Sequence, residues 1–406
     1  FKGTIFSTGG YSAEYGQALS SALVLNSNDI AEKTQGDISL MTVGGDLAYT
    51  KKWDNSSISG KVQYTDLRPY QDMIKQEFDW KEAPNGKVAE LVFRQKISGN
   101  GLLKVYTNMD ISNLSIRQPN INNGGAKDTV SIGNNYFYLN TSYKDIIADR
   151  WTVQGGISTT LNQEKIGFNT DEIEEDEKGI HAKLAFNWEA AEKVSVNMGT
   201  EFFAKKYTNK FNIDNGPNDA FDFKENIAST FAEMDYFASN KFVVRTGLRL
   251  EHSSLLNQTW VNPRLAMSYK LTEKGQFSLA YGQYLQSAQN DYALVNQNLK
   301  PEKATHYILN YQYIHEDRVF RVETYLKKYD DLVKFTDAND FNPNNYSNAG
   351  FGEAKGVDIF WRDSKTFENT DYWISYSYVD SERDYQDFSS LATPSFVSNH
   401  NFSFVA

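Results

Sequence analysis

The sequence predicts an all-β chain, a transmembrane antiparallel β-barrel, on three observations. Apolar and polar residues alternate with a period of two along almost its whole length, short and long connections alternate between those stretches, and no stretch is apolar enough to cross a membrane as a helix. Period two sets one face of a strand against apolar surroundings and the other against polar ones. Of 406 residues 40% are hydrophobic and 14% aromatic, and no run approaches the roughly 18 apolar residues a spanning helix needs. A barrel strand passes that filter because half of its residues face a polar lumen.

The chain opens without alternation. Gly3, Gly9, Gly10 and Gly16 allow tight backbone turns ahead of a short apolar strand near residues 22–25. From about residue 36 the alternation gives about 18 strands, or about 21 residues per strand and connection, of which roughly 9 to 11 cross a bilayer. In residues 180–188 the apolar face is Ile180, Ala182, Leu184, Phe186 and Trp188, against His181, Lys183, Ala185 and Asn187. In 242–250 it is Phe242, Val244, Leu248 and Leu250, against Arg245, Gly247 and Arg249. Tyr307, Leu309, Tyr311 and Tyr313 oppose His306, Asn310 and Gln312, and Phe320, Val322 and Leu326 oppose Arg321, Glu323 and Lys327. Short polar turns fall around Asn55, Asn100, Asp149, Glu192, Asn240, Lys274 and Glu316. Longer polar stretches fall at 68–86, 117–133, 166–178, 207–221, 286–301 and 336–348. Alternate connections of a meander lie at opposite ends, so this rhythm puts the short turns on one rim and the long loops on the other, as in outer-membrane barrels. A soluble propeller would instead show a recurring motif about every 40 to 50 residues, and none recurs.

Composition removes several functions. A net charge of −11 argues against nucleic acid, whose binders carry clustered Lys and Arg. The absence of Cys removes disulfide scaffolds, Cys-ligated metal and Cys nucleophiles. His181, His252, His306, His315 and His400 form no close pair, and no nucleophile elbow, phosphate loop or dinucleotide fingerprint occurs. The sequence therefore predicts no enzyme, cofactor or metal. The acid run at 171–177 reads as a solvated loop, with a divalent-cation site on its oxygen ligands as the alternative. Asp337, Asn339, Asp340 and Asn342 form an oxygen-rich loop, but Phe341 and Pro343 break calcium-loop spacing.

Binding residues are sought on the lumen face and in the long loops. Arg245, Arg249 and Arg321, with Glu323 and Lys183, face water or a filling domain inside the barrel, and arginine forks recognise carboxylates and phosphates. Tyr70, Trp80, Tyr207, Phe211, Tyr292 and Tyr346 fall in polar loops with no lipid to face, where rings pack against ligands or against one another.

Residues 7–26, a Gly-rich run with Glu14-Tyr15-Gly16 feeding a short strand, resemble the last segment of the plug domain of TonB-dependent receptors. Asn262-Pro263-Arg264, Asn298 through Glu302, and Asn348-Ala349-Gly350 through Asp358 resemble that family's barrel, in order and spacing. The style is closest to receptors of the Bacteroidetes type. The resemblance implies that residues 1–35 are the C-terminal end of a plug and 36–406 a barrel. The family has 22 strands, so about 18 would leave the C-terminal strands missing and the strands near 38–43 and 396–404 unpaired. It implies a Gram-negative outer-membrane receptor that imports a scarce nutrient such as an iron–siderophore, with energy from TonB. A passive channel or surface-binding barrel without energy coupling is the alternative. The implied partners are outer-membrane lipid, TonB through an N-terminal part not in this chain, a small-molecule, glycan or peptide substrate, and a surface lipoprotein.

Overall fold

The computed structural model describes residues 3–74, 77–120, 124–214, 216, 218–337 and 341–406; Asn339 and Asp340 of the oxygen-rich loop lie outside them. Two short strands, β1 (Gly3–Ser7) and β2 (Ala22–Asn26), pair with each other apart from the main sheet. The main sheet starts with β3 (Gln35–Met41), β4 (Gly44–Lys52), β5 (Ser56–Asp66), β6 (Asp79–Lys96), β7 (Leu102–Pro119), β8 (Lys127–Ala148) and β9 (Trp151–Phe168). It continues with β10 (Asp171–Ala191), β11 (Val194–Asn212), β12 (Asn218–Ser239), β13 (Phe242–Ser253), β14 (Gln258–Lys270) and β15 (Gly275–Gln286). It ends with β16 (Glu302–His315), β17 (Arg318–Lys334), β18 (Ser347–Asp363), β19 (Tyr372–Asp384) and β20 (His400–Val405). Single helical turns, α1 (Arg68–Met73) and α2 (Asn290–Val295), sit in two of the long connections.

The eighteen strands β3–β20 are neighbours in chain order, which is the number the alternation gives. Every residue of the two end strands is exposed: Leu40 of β3 by 87% and Phe402 of β20 by 67%, against 46% for Leu279 and 48% for Leu309 inside the sheet, as expected of the edges of an incomplete barrel.

Two compact units divide the chain, one of residues 27–186 and 200–228, the other of 3–26, 187–199 and 229–406. In the first, cross-strand register aligns Ile38, Leu47, Val62, Ala89, Met109, Phe137 and Leu161 in one row. Ile38, Leu47, Val62, Met109 and Leu161 are exposed, so this is the lipid face. Ser57, Arg94 and Lys104 form a row of opposite parity and hold the stretch between β2 and β3. Arg94 Nε donates to the Asn28 carbonyl (3.0 Å), Lys104 Nζ to that of Ser27 (2.8 Å), and the Ala31 amide to Ser57 Oγ (3.1 Å).

In the second unit Phe242, Tyr269, Phe277, Tyr311, Val322, Ile359, Tyr376 and Phe402 share a row. This aromatic belt lies near the short turns, where rings settle at a membrane–water boundary. Two residues further along runs an aliphatic row that includes Val244, Met267, Leu279 and Leu309. Leu248 is exposed and Arg249 buried, as the register predicted for β13 requires. Pro263 is paired with Leu248 of β13 at a level where pairing with β15 has not begun, an edge position that does not need its N–H.

Two expected loops are strands. The stretch 166–178 contains only a turn at 169–170, so the acid run belongs to β10, and 207–221 narrows to a connection at 213–217. Tyr207 and Phe211 therefore sit in β11, and Trp80 sits in β6. These strands continue past the hydrocarbon into water, where both faces are wet and the alternation that betrays a strand disappears.

Candidate functional site: residues 8–21 and the cavity beside them

Residues 8–21 cross the inner face of the second unit, and the wall grips them mainly by their carbonyl oxygens. Arg264 on β14 donates through Nη1 to the carbonyls of Tyr11 (3.1 Å) and Ser12, and through Nη2 to that of Tyr15 (2.7 Å). Arg249 on β13 is fully buried, lies 3.5 and 3.4 Å from the carbonyls of Ala13 and Glu14, and pairs with Glu251 at 3.1 Å. Lys327 on β17 donates to the carbonyls of Thr8 (2.5 Å) and Ser20 (3.0 Å), and His306 Nε2 on β16 lies 2.8 Å from that of Leu19. Two carboxylates take the donors: Glu233 on β12 accepts the Ala13 amide (2.9 Å) and Glu323 the Thr8 hydroxyl (2.5 Å). A turn-rich segment has no ladder to satisfy its backbone, so it needs partners from the wall, and charged donors make the stronger bonds.

Packing reinforces the grip. The Tyr11 ring lies 4.3 Å from that of Tyr284, and the Arg264 guanidinium stands over both, at 4.9 and 4.4 Å, a desolvated cation–π arrangement. Burial pushes the Tyr11 phenol above its ordinary range, and its hydroxyl donates to the Ala18 carbonyl at 2.5 Å. The glycines of the run follow from this closeness. Gly10 has φ +65° and a Cβ there would lie 2.7 Å from that of Ala280; at Gly16 it would meet the Arg249 guanidinium.

Residues 17–21 also form one wall of a cavity of about 360 Å³, completed by Gln286, Gln289, Tyr292, Glu302, Leu332, Arg383, Tyr385 and Gln386. Its polar groups are positioned. Gln386 Nε2 donates to Tyr292 Oη (3.1 Å), Gln17 Oε1 accepts the Ser287 amide (3.0 Å) and Glu302 Oε1 that of Val333 (3.0 Å). Arg383 lies 4.4 Å over the Tyr329 ring with its Nε buried and without a hydrogen-bond partner among the described residues. Tyr292, Phe335 and Tyr346 pack together behind the cavity at 5.1 to 6.3 Å. Carboxamides both donate and accept, so this lining suits a polar ligand.

The nine residues singled out from sequence do not converge. Tyr292 lines the cavity and Tyr346 backs it. Arg249 is taken up by the carbonyls of Ala13 and Glu14, Arg245 by Asp235 (2.6 and 2.8 Å) and Glu233 (3.3 Å), and Arg321 is exposed on β17. In the other unit Tyr70 is exposed on α1 and Trp80 lies 5.9 Å from Phe78. There Tyr207 is buried 6.0 Å from Phe223, and Phe211 meets Phe221 at 6.1 Å. Arg383, Gln386, Gln17 and Glu302 were not foreseen; of these, Gln17 and Glu302 lie in stretches with a recognisable signature.

A family model described as TonB dependent receptor-like, beta-barrel, matches residues 42–406. The chain belongs to the TonB-dependent receptor family. Members of this family are transporters of the Gram-negative outer membrane, not enzymes. Among solved structures the chain is similar to the outer membrane transporter YddB from Escherichia coli (TM-score 0.69, 10% identity, covering 94% of this chain and 64% of that one). It is similar to the ferric-catecholate import receptor Fiu from K12 E. coli (0.69, 12%, 97% and 72%). A third is the ferric yersiniabactin uptake receptor FyuA from Yersinia pestis (0.66, 13%, 90% and 63%). At these identities the likeness shows the fold. The chain spans less than two thirds of the YddB and FyuA chains. No curated protein matches it in sequence.

Proposed function

We propose that this protein is an importer that takes up a scarce nutrient such as an iron–siderophore, with energy transmitted by TonB, and that its ligand occupies the cavity beside residues 17–21. In this reading residues 1–35 are the end of the plug and 36–406 the barrel. The observation that carries it is shared contact: the segment that walls the cavity is the one Lys327 and His306 grip by its carbonyls. A ligand there touches the element whose displacement would open a path. Tyr292, with Tyr346 behind it, and Arg383 are the proposed ligand contacts. Leu391, exposed in the connection 385–399, offers a surface lipoprotein an apolar hold at the outer rim. Ligand retained by the purified full-length protein, identified by mass spectrometry, tests the proposal together with growth on a panel of iron sources and glycans. Arg383→Ala is expected to lose the retained ligand and to slow growth on its source at least tenfold; unchanged uptake would remove the cavity from the pathway.

A further inference from the structure

The cavity beside residues 17–21 carries a charge pattern that its own walls leave unmatched. Among its described lining residues only Glu302 and Arg383 are charged, and both are half-buried. Neither side chain forms an ion pair among the described residues, with the other or with a third group. The charges around them are already matched: Lys334 pairs with Asp384 and Arg249 with Glu251, while Asp291 and Asp387 are exposed. A charge taken out of water without a partner is costly, so this one enclosure holds an unmet cation and an unmet anion.

Both groups are held ready. The Arg383 backbone pairs with that of Ala392 (2.9 and 3.0 Å), and the rings of Tyr329, Tyr385 and Phe396 stand 4.4, 5.5 and 5.5 Å from its guanidinium. Rings cover a guanidinium by its face, whereas its donors lie in its plane, so the fork stays open to a carboxylate. Glu302 uses Oε1 for the Val333 amide (3.0 Å); an ionised carboxylate has about four acceptor sites, which leaves room for an ammonium group. Gln286 and Gln289 line the same cavity and make no side-chain hydrogen bond among the described residues, so they can meet the N–H and C=O groups of an amide. The cavity, about 360 Å³, lies near the small end of the roughly 300–1,000 Å³ of ligand sites. A neutral sugar would leave both charges unmet, and a purely anionic chelate would meet Glu302 as a like charge.

We propose that the cavity selects a small zwitterion of the amino-acid type, a free amino acid or short unblocked peptide, with its carboxylate on Arg383 and its ammonium group on Glu302. This rests on the cavity being the ligand site and narrows the nutrient it takes. Arg383 and Glu302 are then the specificity-determining residues, one for each end of the ligand.

The test is native mass spectrometry of the full-length protein in detergent, with folding checked by heat-dependent gel mobility. The probes are a pool of unblocked tripeptides, the same pool N-acetylated or C-amidated, and the free amino acids. The wild type is expected to retain unblocked tripeptides or free amino acids at least tenfold better than either blocked pool, and which of the two it retains gives the ligand's length. Arg383→Gln should bring free carboxylate and amide within threefold of each other while keeping the preference for a free ammonium group; Glu302→Gln should do the reverse. The blocked pools question the wild type directly, so the result stands even if a variant fails to fold. Equal retention of blocked and unblocked pools, or retention of no probe, would overturn the proposal. A ligand lacking either group, retained by the wild type and lost from Arg383→Ala, would overturn the zwitterion and leave the cavity as the ligand site. Unblocked peptide retained with unchanged preferences by both Gln variants would overturn both.

Discussion

Arg264 makes three of the bonds that hold residues 8–21, to Tyr11, Ser12 and Tyr15, so its loss isolates what a charged donor contributes. Arg264→Ala strands buried carbonyls, and a charge-assisted hydrogen bond is worth about 1.5–3 kcal/mol. We expect amides of residues 11–16 to exchange hydrogen at least tenfold faster, with Arg264→Lys only partly restoring protection because an ammonium lacks the fork. Tyr11 adds a pH signature. Its folded pKa is raised, so its neutral form favours the docked state; that contribution is complete below its ordinary value of about 10 and is lost as pH rises through the folded value. Protection of the segment should therefore not respond to Tyr11 between pH 5 and 9 and should fall above about pH 10, and Tyr11→Phe should remove that part of the fall. A loss of protection below pH 9 that Tyr11→Phe abolishes would contradict this placement. Residue identities in the segment were legible as a glycine-rich run, but the wall's carbonyl grip was not. Backbone acceptors leave no trace in sequence; Arg264 read only as part of the Asn262-Pro263-Arg264 stretch and Lys327 only as a polar-face residue of its strand.

Strands are where the sequence spoke most clearly, and only as deep as the lipid. Leu309 and Asn310 are neighbours on β16 that face opposite sides, so a charge tests the register directly. Leu309→Arg should destabilise refolding into vesicles by about 2–4 kcal/mol if it lies near mid-membrane, whereas Asn310→Arg, on the lumen side, should cost less than about 1 kcal/mol. Denaturant titration by tryptophan fluorescence measures both; equal costs would mean the register is shifted by one. Alternation set the count of eighteen because lipid and lumen impose opposite demands on successive residues. It failed in 171–177, where Glu172, Glu174 and Asp176 share a face with Ile180 but stand in the watery zone beyond it. There Lys165 and Lys210 clasp Glu174 at 2.8 and 2.5 Å, a pairing across strands that a string of acids gives no means to foresee.

For the whole molecule, the family was legible while the proposed binding cavity was half so. Tyr292 and Tyr346 stood out as rings without lipid to face; Arg383, Glu302 and Gln386 come from strand ends and a connection far apart in sequence, and only the fold brings them together. The central claim is that the segment at residues 8–21 must leave the wall for import to proceed. A Cβ at Gly247 would lie 3.1 Å from that of Ala13, so a shift of a few tenths of an ångström brings the pair into the roughly 3.5–4.5 Å that a disulfide spans, and the chain has no Cys of its own. The decisive measurement is uptake by cells carrying the full-length protein with Ala13→Cys and Gly247→Cys, before and after reductant. The account predicts uptake reduced to the level of a deletion strain when the bond is formed and restored when it is reduced, with each single variant active throughout. Uptake at the wild-type rate with the bond intact would contradict it.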